Sequence, residues 1–293
     1  MTLSSVTIET ARTARLKPSG LLRLAKRHPL VLIGGGFLVL LIILAVAAPL
    51  YAGDPAEMDP FKRLQPPSVE LWFGSDNLGR DVFARTIFGT RISLLVGLMS
   101  AACAAFRGLL IGILAGYIRA FDNVAMRIMD GLMSIPTILL AIALISLTGP
   151  GIGILIVAIA IPETPAVARL VRSVVLSVRE RPYVEAALCG GARLPKVLWR
   201  HILPSTIPAL MVQCATVCAS AILTEAGLSF LGAGVPPEMP SWGNMISSSR
   251  LYLAIVPLTV FAPGFCLAVT VLALNLLGDS LRDMFDPRSK RRR

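Results

Sequence analysis

From Pro29 onward, long apolar runs alternate with short breaks rich in proline, glycine and charged residues. A helix needs ~20 predominantly apolar residues to cross a bilayer. Six runs approach or exceed that length: about Pro29 to Leu50, Ile92 to Ile118, Ile128 to Leu147, Ile152 to Leu170, Ser205 to Leu231 and Leu253 to Leu277. The first is too long for a signal-peptide core, and no clear small-residue cleavage site comes after it, so it reads as a retained helix. Gly149-Pro150-Gly151 is a strong turn signal between the third run and the fourth. The pattern predicts an all-α integral membrane protein with six transmembrane helices and both termini on one side.

Composition agrees. Of 293 residues, 55% are apolar and 15% charged, against ~25% charged in an ordinary soluble domain. A mean hydropathy of +0.74 excludes a disordered chain, a collagen-like one and a typical soluble enzyme.

The net charge of +11 changes the picture through its placement. One side of the predicted membrane carries 21 Lys and Arg: the segment 1–28, the turn after span two, the stretch Arg169 to Arg200, and the tail after Gly278. The other side carries 6, and Arg107 lies within span two. Positive charge accumulates on cytoplasmic loops, so both termini are expected in the cytoplasm. The basic end Lys290-Arg291-Arg292-Arg293, in a tail over 280–293, suits a bilayer with anionic lipid rather than nucleic acid.

Two loops are long. The extracytoplasmic segment 51–91 is rich in Pro, Gly and Asp, and precedes a membrane region over 92–279. The cytoplasmic stretch of about 171–204 is helical in pattern. Pro182 suits a first helical turn, with Glu185 near the positive end of the dipole. Ala186 and Ala187 are small helix formers, and Gly190-Gly191 should end the helix with a left-handed cap. Pro195 can begin a second helix reaching about Ile202, and Pro204 marks the start of span five. Such a short rigid helix is suited to a partner on the cytoplasmic side.

Glu185, Ala186, Ala187, Gly191, Leu203 and Pro204 form the pattern E-A-A, three residues, G, then eleven residues to L-P. This resembles the EAA loop of bacterial ABC importer permeases. His201 stands where isoleucine is usual. Phe73-Gly74-Ser75-Asp76, Gly79-Arg80-Asp81, Arg91 to Leu95, Gly227 to Gly232, Pro240-Ser241-Trp242-Gly243, Asn275 to Asp279 and Asp286-Pro287-Arg288 are similar to the dipeptide/oligopeptide/nickel (DppC/OppC-like) branch. The resemblance implies the type I ABC importer permease fold in the bacterial inner membrane. It also implies a sister permease, two ATP-binding subunits and an extracytoplasmic substrate-binding protein. The six EAA-loop residues would couple to the ATPases, which would hold ATP and Mg. The chain has no G-x-x-x-x-G-K-[ST] phosphate cradle, so it is expected to bind no cofactor and to be no enzyme itself. For Phe73 to Arg91 two roles stay open, a structural plug and a contact for the binding protein.

Three charges fall inside predicted spans. Arg107 could face the pathway, pair with an acid, or reach a polar defect; a mid-membrane charge costs ~2.5–3.5 kcal/mol. Glu163, beside Pro162 and Pro165, is the acid to test first as its partner, and Glu225 lies late in span five. Gly108, Gly112 and Gly116 repeat every four residues and predict close helix packing. The five cysteines form no CxxC and are expected to pack as small residues, not to bind metal. Two other classes compete: an intramembrane enzyme, for which no convergent catalytic set is visible, and a stand-alone secondary transporter, for which no internal repeat is visible.

Overall fold

The structure is a computed structural model and describes residues 29–285. The expected cytoplasmic segment 1–28 and the basic end of the tail lie outside the described residues. Ten α-helices are described: α1 (Pro29–Tyr51), α2 (Val82–Tyr117), α3 (Arg119–Met133), α4 (Thr137–Thr148), α5 (Ile152–Arg179), α6 (Pro182–Cys189), α7 (Leu194–Val197), α8 (Leu203–Phe230), α9 (Trp242–Ser249) and α10 (Leu258–Phe285). Among the described residues the β-structure is a lone bridge between Ser75 and Asp81. Helices close their own backbone hydrogen bonds, which is what a chain in lipid requires.

Five stretches are long and apolar enough to cross a membrane: Leu32–Tyr51, Val82–Tyr117, Ile152–Arg179, Leu194–Phe230 and Leu258–Phe285. The expected third span over about Ile128 to Leu147 is not one helix. It is the later part of a pair, α3 and α4, bent by 94°. Pro136 offers no N–H, and the residue before a proline is pushed out of helical geometry, so the helix breaks at Ser134-Ile135-Pro136. α3 also carries charge that has partners elsewhere: Asp122 accepts from Arg172 Nη2 at 2.6 Å, and Asp130 pairs with Arg169, both arginines on α5.

Other boundaries shift as well. α2 begins at Val82, ten residues before the expected start, because Asp81 caps it by accepting from the Phe83 N–H at 2.9 Å. Its 36 residues make a rod of ~54 Å, longer than the ~30 Å hydrocarbon core. α5 runs to Arg179, and α10 begins at Leu258 rather than near Leu253. The eight-residue α9 has no counterpart in the sequence expectations, since a short polar helix leaves no span-length signal.

α2 and α5 run in the same direction and form the largest helix–helix contact. The glycine repeat makes it possible. A Cβ on Gly108 would lie 2.5 Å from Val167 Cβ, one on Gly112 2.6 Å from Val171 Cβ, and one on Gly116 2.5 Å from Val175 Cγ1. Three glycines and three valines thus interlock turn by turn, and the repeat packs within the chain. The core continues through Val217 and Ile222 of α8 to Trp242 of α9. α1 leans on α10 and α2 and leaves Ile33, Val39, Ile43 and Val46 exposed, as a lipid-facing helix should.

Candidate functional site

The EAA-bearing helix is α6. Pro182 occupies its first turn, and the N–H groups of Val184 and Glu185 both donate to the Arg181 carbonyl, at 2.9 and 3.2 Å. At its end, Gly191 N–H donates to the Leu188 carbonyl and Ala192 N–H to the Ala187 carbonyl, each at 3.0 Å. These crossed bonds are a Schellman cap. The left-handed residue is the second glycine, Gly191, at φ +80°; Gly190 stays at φ −74°.

Beyond this cap the chain forms one rod. α7 passes through a π turn, Leu198–Ile202, directly into α8 at Leu203. Pro204 therefore does not begin a separate helix. It has no N–H for the Arg200 carbonyl, and the hydrogen-bond ladder widens into the π turn just before it. Val184 of α6 is fully buried with Val178 at the end of α5 and with Val197 and Ile202 of the rod. The rest of α6 is open: Glu185, Ala186 and Gly191 are exposed and Ala187 is half-buried. Leu203 is half-buried and Pro204 exposed at the far side of the loop. The six residues therefore belong to one loop surface, not to a convergent catalytic cluster. Sequence reasoning missed its apolar rim: Tyr183, Leu188, Leu194 and Trp199 are exposed, Trp199 by 72%. Its signal was four large apolar side chains in a charged loop.

The membrane charges do not meet as expected. Arg107 Nε donates at 3.3 Å to the Cys103 carbonyl on its own helix, and its Nη2 is buried without a partner. Arg107 has a different helical phase from Gly108, roughly 100° around α2 from the face that meets α5. Glu163 is turned to α8 instead, where its Oε1 accepts from Ser220 Oγ at 2.7 Å. The proposed Arg107–Glu163 pair is thus absent among the described residues. Glu225 is fully buried, and its Oε1 accepts from Ser229 Oγ and Ser241 Oγ, both at 2.8 Å. Ser241 also caps α9 by accepting from the Asn244 N–H. Trp242 next to it donates from Nε1 to the Thr86 carbonyl at 3.1 Å and from its backbone to Ser93 Oγ at 3.2 Å. Pro240 to Gly243 is therefore the bolt that fixes α9 between α2 and α8.

The stretch from Phe73 to Arg91 is built around Asp76. Its carboxylate accepts from the N–H groups of Leu78 and Arg80 and from Arg80 Nε at 2.7 Å, with Arg85 Nε 3.8 Å away. Asp76, Arg80 and Arg85 are all buried. Arg85 reaches on to the Pro55 carbonyl, and Arg91 bonds the Ala45 carbonyl at 2.6 Å, tying α2 to α1. Burial pushes the Asp81 carboxyl up from its ordinary range, against the pull of the Phe83 and Ala84 N–H groups. No group of three or more His, Cys, Asp or Glu that could hold a metal occurs among the described residues, and the five cysteines are free thiols.

The family model described as "binding-protein-dependent transport system inner membrane component" matches residues 108–291. The chain belongs to that family. The permease also matches, over residues 21–67, the N-terminal transmembrane domain of oligopeptide transport permease C. It is 77% identical over 99% of its length, and 100% of the relative's, to a probable peptide ABC transporter permease of Sinorhizobium fredii. It is 41% identical to the dipeptide transport permease DppC of Alkalihalophilus pseudofirmus, with 90% of this chain and 88% of that one covered. Among solved structures, the inward-facing MetNI methionine ABC transporter aligns with a TM-score of 0.57 at 20% identity, covering 69% of this chain and 97% of that one. The fold is that of a type I ABC importer permease. Membership makes this chain a transport component rather than an enzyme, and sets aside the stand-alone transporter.

Proposed function

We propose that this permease forms half of the translocation pathway of an ATP-driven importer for peptides or related small solutes. A sister permease would form the other half, two ATP-binding subunits holding ATP and Mg would dock on the α6 loop, and an extracytoplasmic binding protein would deliver the solute. The peptide class rests on the names of the relatives, which include a glutathione transport permease 41% identical over 92% of this chain. The bilayer is the bacterial inner membrane. The charge asymmetry of 21 to 6 supports cytoplasmic termini and a cytoplasmic α6.

One observation carries the coupling reading: α6 is open on most of its surface but braced through Val184 to the end of α5 and the rod that becomes α8. Closure of the ATPases around bound ATP would push on Glu185, Ala186 and Ala187. Because α6 is capped at Gly191 and wedged at Val184, the push would move α5 and α8 together instead of unfolding the loop. ATP binding would thereby bias the membrane core between two states. Leu203 and Pro204 act as the hinge side of this device, next to the π turn.

The test is substrate-stimulated ATP hydrolysis by reconstituted complexes, with subunit ratios measured on the same sample. Gly191→Val forces a β-branched residue into left-handed geometry at ~1–2 kcal/mol, and should weaken ATPase association or uncouple hydrolysis from substrate while the chain still inserts. Glu185→Lys should do the same by reversing the charge at the helix start. Wild-type stimulation and transport in both variants would remove the coupling role from this loop.

A further inference from the structure

The middle of α8 carries Thr216, Ser220 and Thr224 four residues apart, on one face. They line an open groove of about 360 Å³ together with Ile138 of α4 and with Val271 and Asn275 of α10. Thr216 and Asn275 are exposed. The exposed Asn275 amide would leave its polar atoms unsatisfied in lipid, so this face does not suit a lipid-facing surface. The hydroxyls have a particular polarity. Thr216 donates to the Val212 carbonyl at 3.3 Å, Thr224 to the Ser220 carbonyl at 2.9 Å, and Ser220 to Glu163 Oε1 at 2.7 Å. Each hydroxyl hydrogen is thus committed within the protein, which leaves the oxygen lone pairs of this stripe free to accept. Behind them stands Glu163, held by Ser220.

An array of acceptors backed by one carboxylate is matched to a cationic donor. We propose that this groove is a subsite of the translocation path that binds the ammonium group of a solute, namely the free amino terminus of a peptide. The amino group has three N–H bonds to distribute. Thr216 and Ser220 accept from it, Asn275 accepts through its amide oxygen, and Glu163 supplies the opposite charge, which strengthens each bond. Ile138 and Val271 give the first side chain of the peptide an apolar wall. The site rests on the peptide reading given above.

The test uses the intact importer in proteoliposomes, with Cys103, Cys189, Cys214, Cys218 and Cys266 replaced by alanine and Thr216→Cys as reporter. Two water-soluble thiol reagents of similar size, one with a quaternary ammonium and one with a sulfonate, are compared by labelling rate. The cationic reagent should react about tenfold faster, and Glu163→Gln, which keeps an acceptor for Ser220, should abolish the preference. A tripeptide library with free amino termini should slow labelling, and the N-acetylated library should not. Absence of labelling would mean that the sister subunit or lipid covers the stripe, and would overturn the site. Equal rates for the two reagents, or equal protection by the two libraries, would overturn it as well. Peptide uptake by vesicles of the cysteine-free importer that keeps Thr216 and Glu163 separates the two readings. A charge preference in an importer that takes up no peptide overturns the peptide reading, whereas uptake without free-amino protection overturns only the subsite.

Discussion

Two glycines with nearly the same backbone angle show how far a residue's neighbourhood decides its meaning. Gly79 and Gly191 have φ of +78° and +80°. A Cβ on Gly79 would lie 1.8 Å from the Asp59 carbonyl oxygen, while one on Gly191 would meet nothing within 4 Å. Gly191→Ala should therefore cost only ~1–2 kcal/mol for the left-handed conformation. Gly79→Ala must also displace the backbone at Asp59, and should lower the thermal midpoint of the purified permease by clearly more. Equal shifts for the two variants would refute the close approach at Asp59. Arg107 gives the opposite kind of residue. With one weak bond to Cys103 and a buried, unpartnered Nη2, it adds an unbalanced charge. Arg107→Leu should leave transport intact and raise thermal stability, by no more than the ~2.5–3.5 kcal/mol insertion cost. A fall in stability would place an acidic partner against it on another subunit.

At the scale of elements, the α2–α5 contact depends on the absence of side chains on one helix. Gly112→Leu would put branched carbon where Val171 Cβ and the Ala168 carbonyl already lie 2.6 and 2.7 Å from a Cβ position. The helices would have to separate along the valine ridge, which in lipid is held by close packing. Limited proteolysis in nanodiscs should show faster cleavage and a lower yield of intact permease for Gly112→Leu. Gly36→Leu on α1, where a Cβ meets nothing within 4 Å, should behave as wild type. Equal behaviour of the two would show that the stripe is not what holds α2 to α5. The elements also explain why boundaries are hard to place from sequence. Apolar runs mark where lipid begins, but Asp81, the Pro136 break and the π turn at Leu198–Ile202 set where helices begin and end.

For the whole molecule the prediction concerns topology. The ends of α6 and the α3–α5 ion pairs lie at one end of the bundle, and the Asp76 cluster with the start of α2 at the other. Positions near Pro67 and Glu238 should be labelled from outside sealed cells when each carries a single cysteine, and positions near Arg179 and Lys290 only after the membrane is opened. Labelling near Lys290 from outside would refute the even number of crossings. The bent pair α3–α4 is the element on which this parity depends, since α4 alone has 12 residues, or ~18 Å.

The sequence by itself determined the membrane class, the glycine stripe as a packing face, and α6 with its glycine stop. All of these depend on local composition, period or turn chemistry, which a linear chain displays directly. Only the tertiary structure decided the partners. Glu163 and Ser220 are 57 residues apart and Trp242 and Thr86 are 156 apart, and no local pattern encodes such pairs. The same holds for Glu225, where sequence shows an acid in an apolar run and the fold supplies Ser241 to bond its Oε1. Arg107 and Glu163 were legible as charges in lipid, but which way each faced depended on helical phase and on how α2, α5 and α8 pack. Phase is readable within one helix; rotation of one helix against another is fixed only when their side chains interlock.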